Sequence, residues 1–186
     1  MQESRVSVTA LVTAYARAYH SMYDNPKIFD DFLAPQLFSE QEHVFFRHNI
    51  ALGLSYYDPA LAAQCKDEAS ALAAVMRLQT APVTLSRSRY TEENLDQAVA
   101  DGVQQYVILG AGLDTFAFRR PEMLSRIQVF EVDHPITQAD KRRRIAERGW
   151  TVPAGLHWIP VDFAKQGFAA ALKDSPHDPR KKSFFS

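Results

Sequence analysis

The segment Tyr106–Asp114 reads Tyr-Val-Ile-Leu-Gly-Ala-Gly-Leu-Asp. An apolar run ending in Gly-x-Gly turns sharply after a strand and lets backbone N–H groups approach a ligand. A Cβ at either glycine would block that approach or the positive backbone angle. Asp133 lies 21 residues beyond Gly112, at the predicted end of the next strand. This spacing suits an acid that accepts hydrogen bonds from ribose hydroxyls, so the pair predicts a nucleoside-containing cofactor across the carboxyl ends of the strands. Asp162 closes a third predicted strand and Phe163 follows it. An acid there can reach an adenine amino group while an aromatic ring packs on the base. The plainer alternatives are a tight strand-to-helix turn at Gly110–Gly112 and a simple cap at Asp162.

A dinucleotide fingerprint would place a third small residue three positions after Gly112, where Thr115 stands. Asp114 also puts negative charge at the start of the following helix, where a pyrophosphate needs a positive environment. S-adenosylmethionine (SAM) has no phosphate to hold. It tolerates an acid near the turn and asks for a cation for its own carboxylate.

Elements that would position these residues follow from hydrophobic period. Tyr106–Leu109, Ile127–Val132 and His157–Val161 read as strands. Thr91-Glu92-Glu93 reads as a helix start ending at Gly102, and Pro135–Arg148 as a helix closed by Gly149. Alternation of strand and helix predicts a parallel sheet covered by helices, an α/β fold. The first part reads as helical. Val8–Tyr23 has a face of Val8, Leu11, Val12, Tyr15, Tyr19, Met22 and Tyr23. Further helices are expected over Lys27–Leu33, Ser39–Leu54 and from Asp58-Pro59 to about Leu78. Thr80–Tyr90, with Pro82, reads as an extended link, and Lys173–Lys182 as a polar loop. The aromatic residues of the first sixty positions read as core.

Lys and Arg number 21 against 22 Asp and Glu, which argues against a general electrostatic grip on nucleic acid or anionic membrane. With 11% aromatic residues the chain can bury a core, so intrinsic disorder is excluded. No apolar run is long enough for a membrane helix. The opening residues MQESRVSVTA lack the pattern of a secretory leader. One cysteine, Cys65, allows no internal disulfide and fits a reducing compartment, so a cytoplasmic location is expected. Lys141–Arg144 is read as a solvated basic face rather than a nucleic-acid patch. His43 and His48 are five apart, not the spacing that sets two metal ligands on one helical face, so no metal is expected. His134 is read as orienting the turn after Asp133.

Four blocks occur in order: Arg87–Glu93 (RSRYTEE), Gln105–Pro121 (QYVILGAGLDTFAFRRP), Val129–Arg143 (VFEVDHPITQADKRR) and Ile159–Phe163 (IPVDF). Through them the chain, over about residues 85–186, resembles the leucine carboxyl methyltransferase-like family of SAM-dependent O-methyltransferases. The resemblance implies a class I, Rossmann-like doubly wound sheet over 91–186 and an N-terminal helical cap over 1–90. It implies that Arg89 pairs with the methionine carboxylate of SAM, an arrangement suited to a guanidinium fork. Gly110 and Gly112 would admit the methionine and ribose portion, Asp133 would hold the ribose, and Asp162 and Phe163 would flank the adenine. The bland alternative for Arg89 is a surface ion pair with Glu92 or Glu93.

The implied acceptor is a carboxyl or hydroxyl oxygen on a small molecule or protein terminus. A carboxylate acceptor needs no general base, and no catalytic residue is named. Competing readings are a nicotinamide-dependent oxidoreductase and a non-catalytic fragment. Against the family's sheet the chain looks truncated. It has three strands, with Lys182–Ser186 opening a fourth that would pair with the first on the side opposite the second. A chain stopping there is expected to leave the first strand with an open apolar edge.

Overall fold

The computed structural model describes residues 6–186. Residues 1–5, half of the segment read for a leader, lie outside them. Two compact units are present: Val12–Arg89, and Tyr90–Ser186 together with the described residues up to Leu11.

The helices of the first part are α1 (Val8–Tyr23), α2 (Glu40–Tyr57), α3 (Pro59–Ala62), α4 (Glu68–Val75) and α5 (Ser86–Ala100). Ser7 caps α1, its hydroxyl accepting from the Ala10 N–H at 3.2 Å. The buried stripe of α1 is written mainly in small residues, Ala14, Ala16 and Ala18 with Tyr15, while Val8, Met22 and Tyr23 are exposed. Of the expected face Tyr15 is buried and Leu11, Val12 and Tyr19 are half-buried; burial runs through consecutive residues 14–18, on every side of the helix, so one apolar face does not describe α1. Of the early aromatics, Tyr15, Phe38 and Phe46 do form a buried cluster, with Tyr15 stacked on Phe46 at 5.3 Å. Phe32, Phe45, Tyr56 and Tyr57 are exposed, contrary to the core reading.

Lys27–Leu33 is not helical. Two of its N–H groups, those of Ile28 and Phe29, turn to the His20 ring instead of a carbonyl. His20 Nε2 accepts from Ile28 N at 2.8 Å, and Asp31 accepts from Ala34 N at 3.1 Å. Arg17, itself buried, donates to Asp31 at 2.9 Å. A short 3₁₀ turn, Ala34–Leu37, follows. The stretch from Asp58 is broken after α3, because Asp67 and Ser70 form a capping box that starts α4 afresh. Met76–Leu85 is a π-helix rather than an extended link. Pro82 has no N–H to give and its ring crowds the carbonyl a turn back; a wider turn accommodates both. This turn feeds directly into α5, so Thr91–Glu93 lies inside a helix and caps nothing.

α5 ends as expected. Gly102 has φ +91, with the Val103 N–H returned to Ala98 O at 2.9 Å. The sheet comprises β1 (Gln105–Leu109), β2 (Gln128–Asp133), β3 (Leu156–Pro160) and β4 (Ser183–Phe185), in the order β3-β2-β1-β4 with every pairing parallel. The helices α6 (Phe116–Arg119), α7 (Pro135–Glu147) and α8 (Phe168–Lys173) lie between strands in sequence. Period-two alternation sorts the strands into two cores. Tyr106, Ile108, Val129 and Leu156 line one face; Val107, Phe130, Val132 and Ile159 line the other.

The expected open edge of β1 is not found. β4 pairs along Gln105–Val107, and the Leu109 N–H reaches Ser186 O at 2.9 Å. Gln105, buried in the sheet, anchors the loop before β4. Its Nε2 donates to Asp178 O and its Oε1 accepts from Asp178 N, both at 2.8 Å. Among the described residues no helix is long and apolar enough to cross a membrane.

Candidate functional site

Two parallel strands, β1 and β2, deliver their carboxyl ends side by side. The glycine turn is tied to its neighbour: Gly110 N and Ala111 N both donate to Val132 O, at 2.7 and 3.3 Å. That places the turn against the very next residue, Asp133. One carboxylate oxygen of Asp133 accepts the Gly112 N–H, and the other accepts the His134 N–H at 2.6 Å. His134 Nδ1 in turn accepts from Ile136 N at 3.3 Å and caps α7, with Pro135 at its first position. The expectation that His134 orients this corner is met.

The two glycines differ. Gly110 is exposed, has φ +71, and nothing lies within 4 Å of where a Cβ would stand. Gly112 is buried, has φ +52, and the Ala10 side chain lies 3.0 Å from the equivalent point. Both need the left-handed region that glycine adopts readily. Only Gly110 presents open backbone.

Asp162 follows β3 beside the same end of the sheet. Its carboxylate accepts from Ala164 N at 3.0 Å and pairs with Lys165 at 2.9 Å, and His134 Nε2 stands 3.9 Å away. The Lys165 hydrogen bond, aided by Ala164 N, holds Asp162 below the usual carboxylate range. The plain capping reading of Asp162 is therefore present in the structure. Phe163 is half exposed. Gly110, Gly112, Asp133 and Asp162 thus gather at one end of the sheet. Arg89 belongs to the other unit, where it is an exposed residue in the first turn of α5.

Acidic charge surrounds the turn. Asp114 caps α6, accepting from Phe116 N at 2.7 Å. Glu131 is raised to about 7, chiefly by burial, with Lys141 opposing and Asp114 and Asp133 adding to the rise. Glu92 is raised by burial against the pull of Arg119, and Asp114 again adds to it. Glu131 and Glu92 are matched by Lys141 and Arg119, so Asp114 and Asp133 are the acids that make the turn hospitable to a cation and poor for a pyrophosphate.

The basic run is not the solvated face it resembles in sequence. Lys141 is buried against Glu131 and faces the Trp158 ring at 5.4 Å, and Arg144 is buried on Asp140 at 2.7 Å. Only Arg142 and Arg143 remain exposed. Sequence reading missed this pair, the Glu92–Arg119 tie and the seat of Ala10. A charge within the apolar run of β2 was the available signal for Glu131, since such a residue needs a buried counter-charge. His48 bonds Glu68 at 2.8 Å and His43 bonds Pro35 O at 3.0 Å. Among the described residues no group of three His, Cys, Asp or Glu side chains could hold a metal.

A parallel sheet with a glycine turn after β1 and an acid closing β2 is an arrangement by which α/β folds hold nucleoside cofactors. A family model for leucine carboxyl methyltransferase matches residues 10–186, and the chain belongs to that family. It is 42% identical, over all of its length, to a Bacillus subtilis (strain 168) protein provisionally named S-adenosyl-L-methionine-dependent methyltransferase YktD. It is 31% identical over 91% of its length to a Mycobacterium ulcerans protein with the same provisional description. A Mycobacterium bovis relative so described is 28% identical over 98% of the chain. The chain spans 61% of the Bacillus relative and about half of each mycobacterial one.

Proposed function

We propose that this chain carries the cofactor half of a SAM-dependent O-methyltransferase that works in the cytoplasm. The observation that supports it best is the junction of β1 and β2. There the open backbone of Gly110 sits beside the Asp133 carboxylate, which is already held in place by Gly112 and His134. Family membership and the relatives' names point the same way.

The residues fit SAM on their chemistry. A Cβ at Gly110 would stand in the open space the turn leaves. Asp133 keeps unused lone pairs for two ribose hydroxyls. The acids Asp114 and Asp133 suit a sulfonium. In this reading Gly110 and Gly112 border the methionine and ribose portion, Arg89 pairs with the methionine carboxylate, Asp162 and Phe163 border the adenine, and residues 1–90 act as the cap. SAM supplies an activated methyl group. The protein's part is to bind, orient and exclude water, which for methyl transfer is most of the work. The acceptor is an oxygen, either a carboxylate, which needs no general base, or a hydroxyl.

Titration of the purified chain with SAM and with NAD(H) in a calorimeter decides between the two cofactor readings. Heat with SAM alone is expected; heat with NAD(H) alone overturns the proposal. Transfer of a labelled methyl group to an oxygen acceptor separates a catalyst from a binding fragment.

A further inference from the structure

Gly112 is enclosed on two sides. Its N–H goes to Asp133, and its α-carbon faces Ala10, whose Cβ lies only 3.0 Å from where a side chain would begin. Ala10 belongs to the first turn of α1, in the same compact unit as the sheet. That turn has a second anchor across the site mouth: the Ser7 N–H donates to the Thr137 hydroxyl at 3.4 Å. Thr137 is 1% exposed and lies in the first turn of α7, four residues after Asp133. Residues 7–10 therefore strap the glycine turn to the start of α7, the two segments that the Asp133 carboxylate also joins.

We infer that this strap is a latch coupled to ligand binding. Seating Ala10 on Gly112 holds the Gly112 N–H toward Asp133, and so sets the carboxylate that faces the nucleoside. The inference rests on the proposed SAM site. Coupling of this kind is reciprocal: whatever the strap adds to affinity, the ligand adds to the strap. Ala10 and Thr137 are positioning residues, and neither is assigned contact with the cofactor.

The test combines hydrogen exchange with calorimetry on the purified chain. SAM should slow exchange of the Ala10 and Leu11 amides, which bond Ser7 in the seated turn. Thr137→Val removes the acceptor for Ser7 and should weaken SAM binding about fivefold, the usual weight of one neutral hydrogen bond. Thr137→Ser keeps the hydroxyl and should restore affinity. Ala10→Gly should weaken SAM binding as Thr137→Val does, with a melting temperature lowered only by the cost of glycine in a helix. If SAM binds the wild type but leaves exchange at residues 10 and 11 unchanged, the latch is wrong and the SAM site stands. Variants that free those amides yet bind SAM within twofold of wild type overturn it equally. No heat with SAM from the wild type overturns the cofactor reading, and the latch with it.

Discussion

At the scale of single residues, the difference between the glycines is open to direct measurement. Gly110 and Gly149 both have positive φ, +71 and +67, and neither has an atom within 4 Å of a would-be Cβ. Alanine at either should cost about 1 kcal/mol through backbone strain alone. Only Gly110→Ala places a methyl group in the open space of the turn proposed to take SAM, so it alone should also weaken SAM affinity. Thermal melts and calorimetry on the two variants make that comparison. Asp133→Asn keeps the shape but discards a charged acceptor, and should lower SAM affinity by about 10- to 100-fold. Titration of Asp133→Asn with SAM checks it; an unchanged affinity would remove Asp133 from the site. The gathering of Gly110, Gly112, Asp133 and Asp162 at one end of the sheet was legible because position follows from strand ends and spacing. Ala10 was not. A small residue in a helix carries no mark of what sits against it, and the partner lies about a hundred residues along the chain.

At the scale of elements, β2 and α7 are joined by a buried pair. Lys141→Met leaves the Glu131 carboxyl in the core without its partner; the carboxyl keeps its proton, and the unsatisfied polar group should cost about 1–3 kcal/mol in urea unfolding at neutral pH. Glu131 also sets a pH dependence. Burial raises it from 4.5 to about 7, so between those values the folded protein keeps a proton that the unfolded chain releases. Its contribution is complete below pH 4.5 and is lost as pH rises through 7. The stability of wild type relative to Glu131→Gln should therefore fall between pH 5 and pH 8. A constant difference across that range would refute the assignment. The strands and α7 were legible because their period reports one apolar face. The non-helical residues 27–33 and the π-helix were not, because each depends on a side chain or a proline competing for backbone hydrogen bonds. Lys141 and Arg144 deceived for a related reason: a cation run looks solvated unless the buried acid opposite it is already known.

At the scale of the whole sheet, β4 is a three-residue strand, and Gln105 ties both it and the loop before it to β1. Gln105→Ala orphans the N–H of Asp178 and leaves its carbonyl with the Lys181 N–H alone, so about 1–3 kcal/mol of stability should be lost. Amides of Ser183–Phe185 should then exchange faster than those of β2. Equal rates would mean that β4 is secured by the strand pairing alone.

The strand order β3-β2-β1-β4 has a consequence for how the protein is made. β1 lies inside the sheet, yet both of its neighbours come later in the chain. Its last partner, Ser183, is 78 residues away from Gln105. At a synthesis rate of about 5–20 residues per second, β1 emerges roughly 4–16 s before Phe184 and Phe185 exist to cover it. During that interval the apolar stretch Tyr106–Leu109 can pair only with β2, or with another nascent chain on the same messenger. Crowded translation, rather than heat, is then where this fold is most exposed to misassembly. Slowing initiation should raise soluble yield without altering the melting temperature.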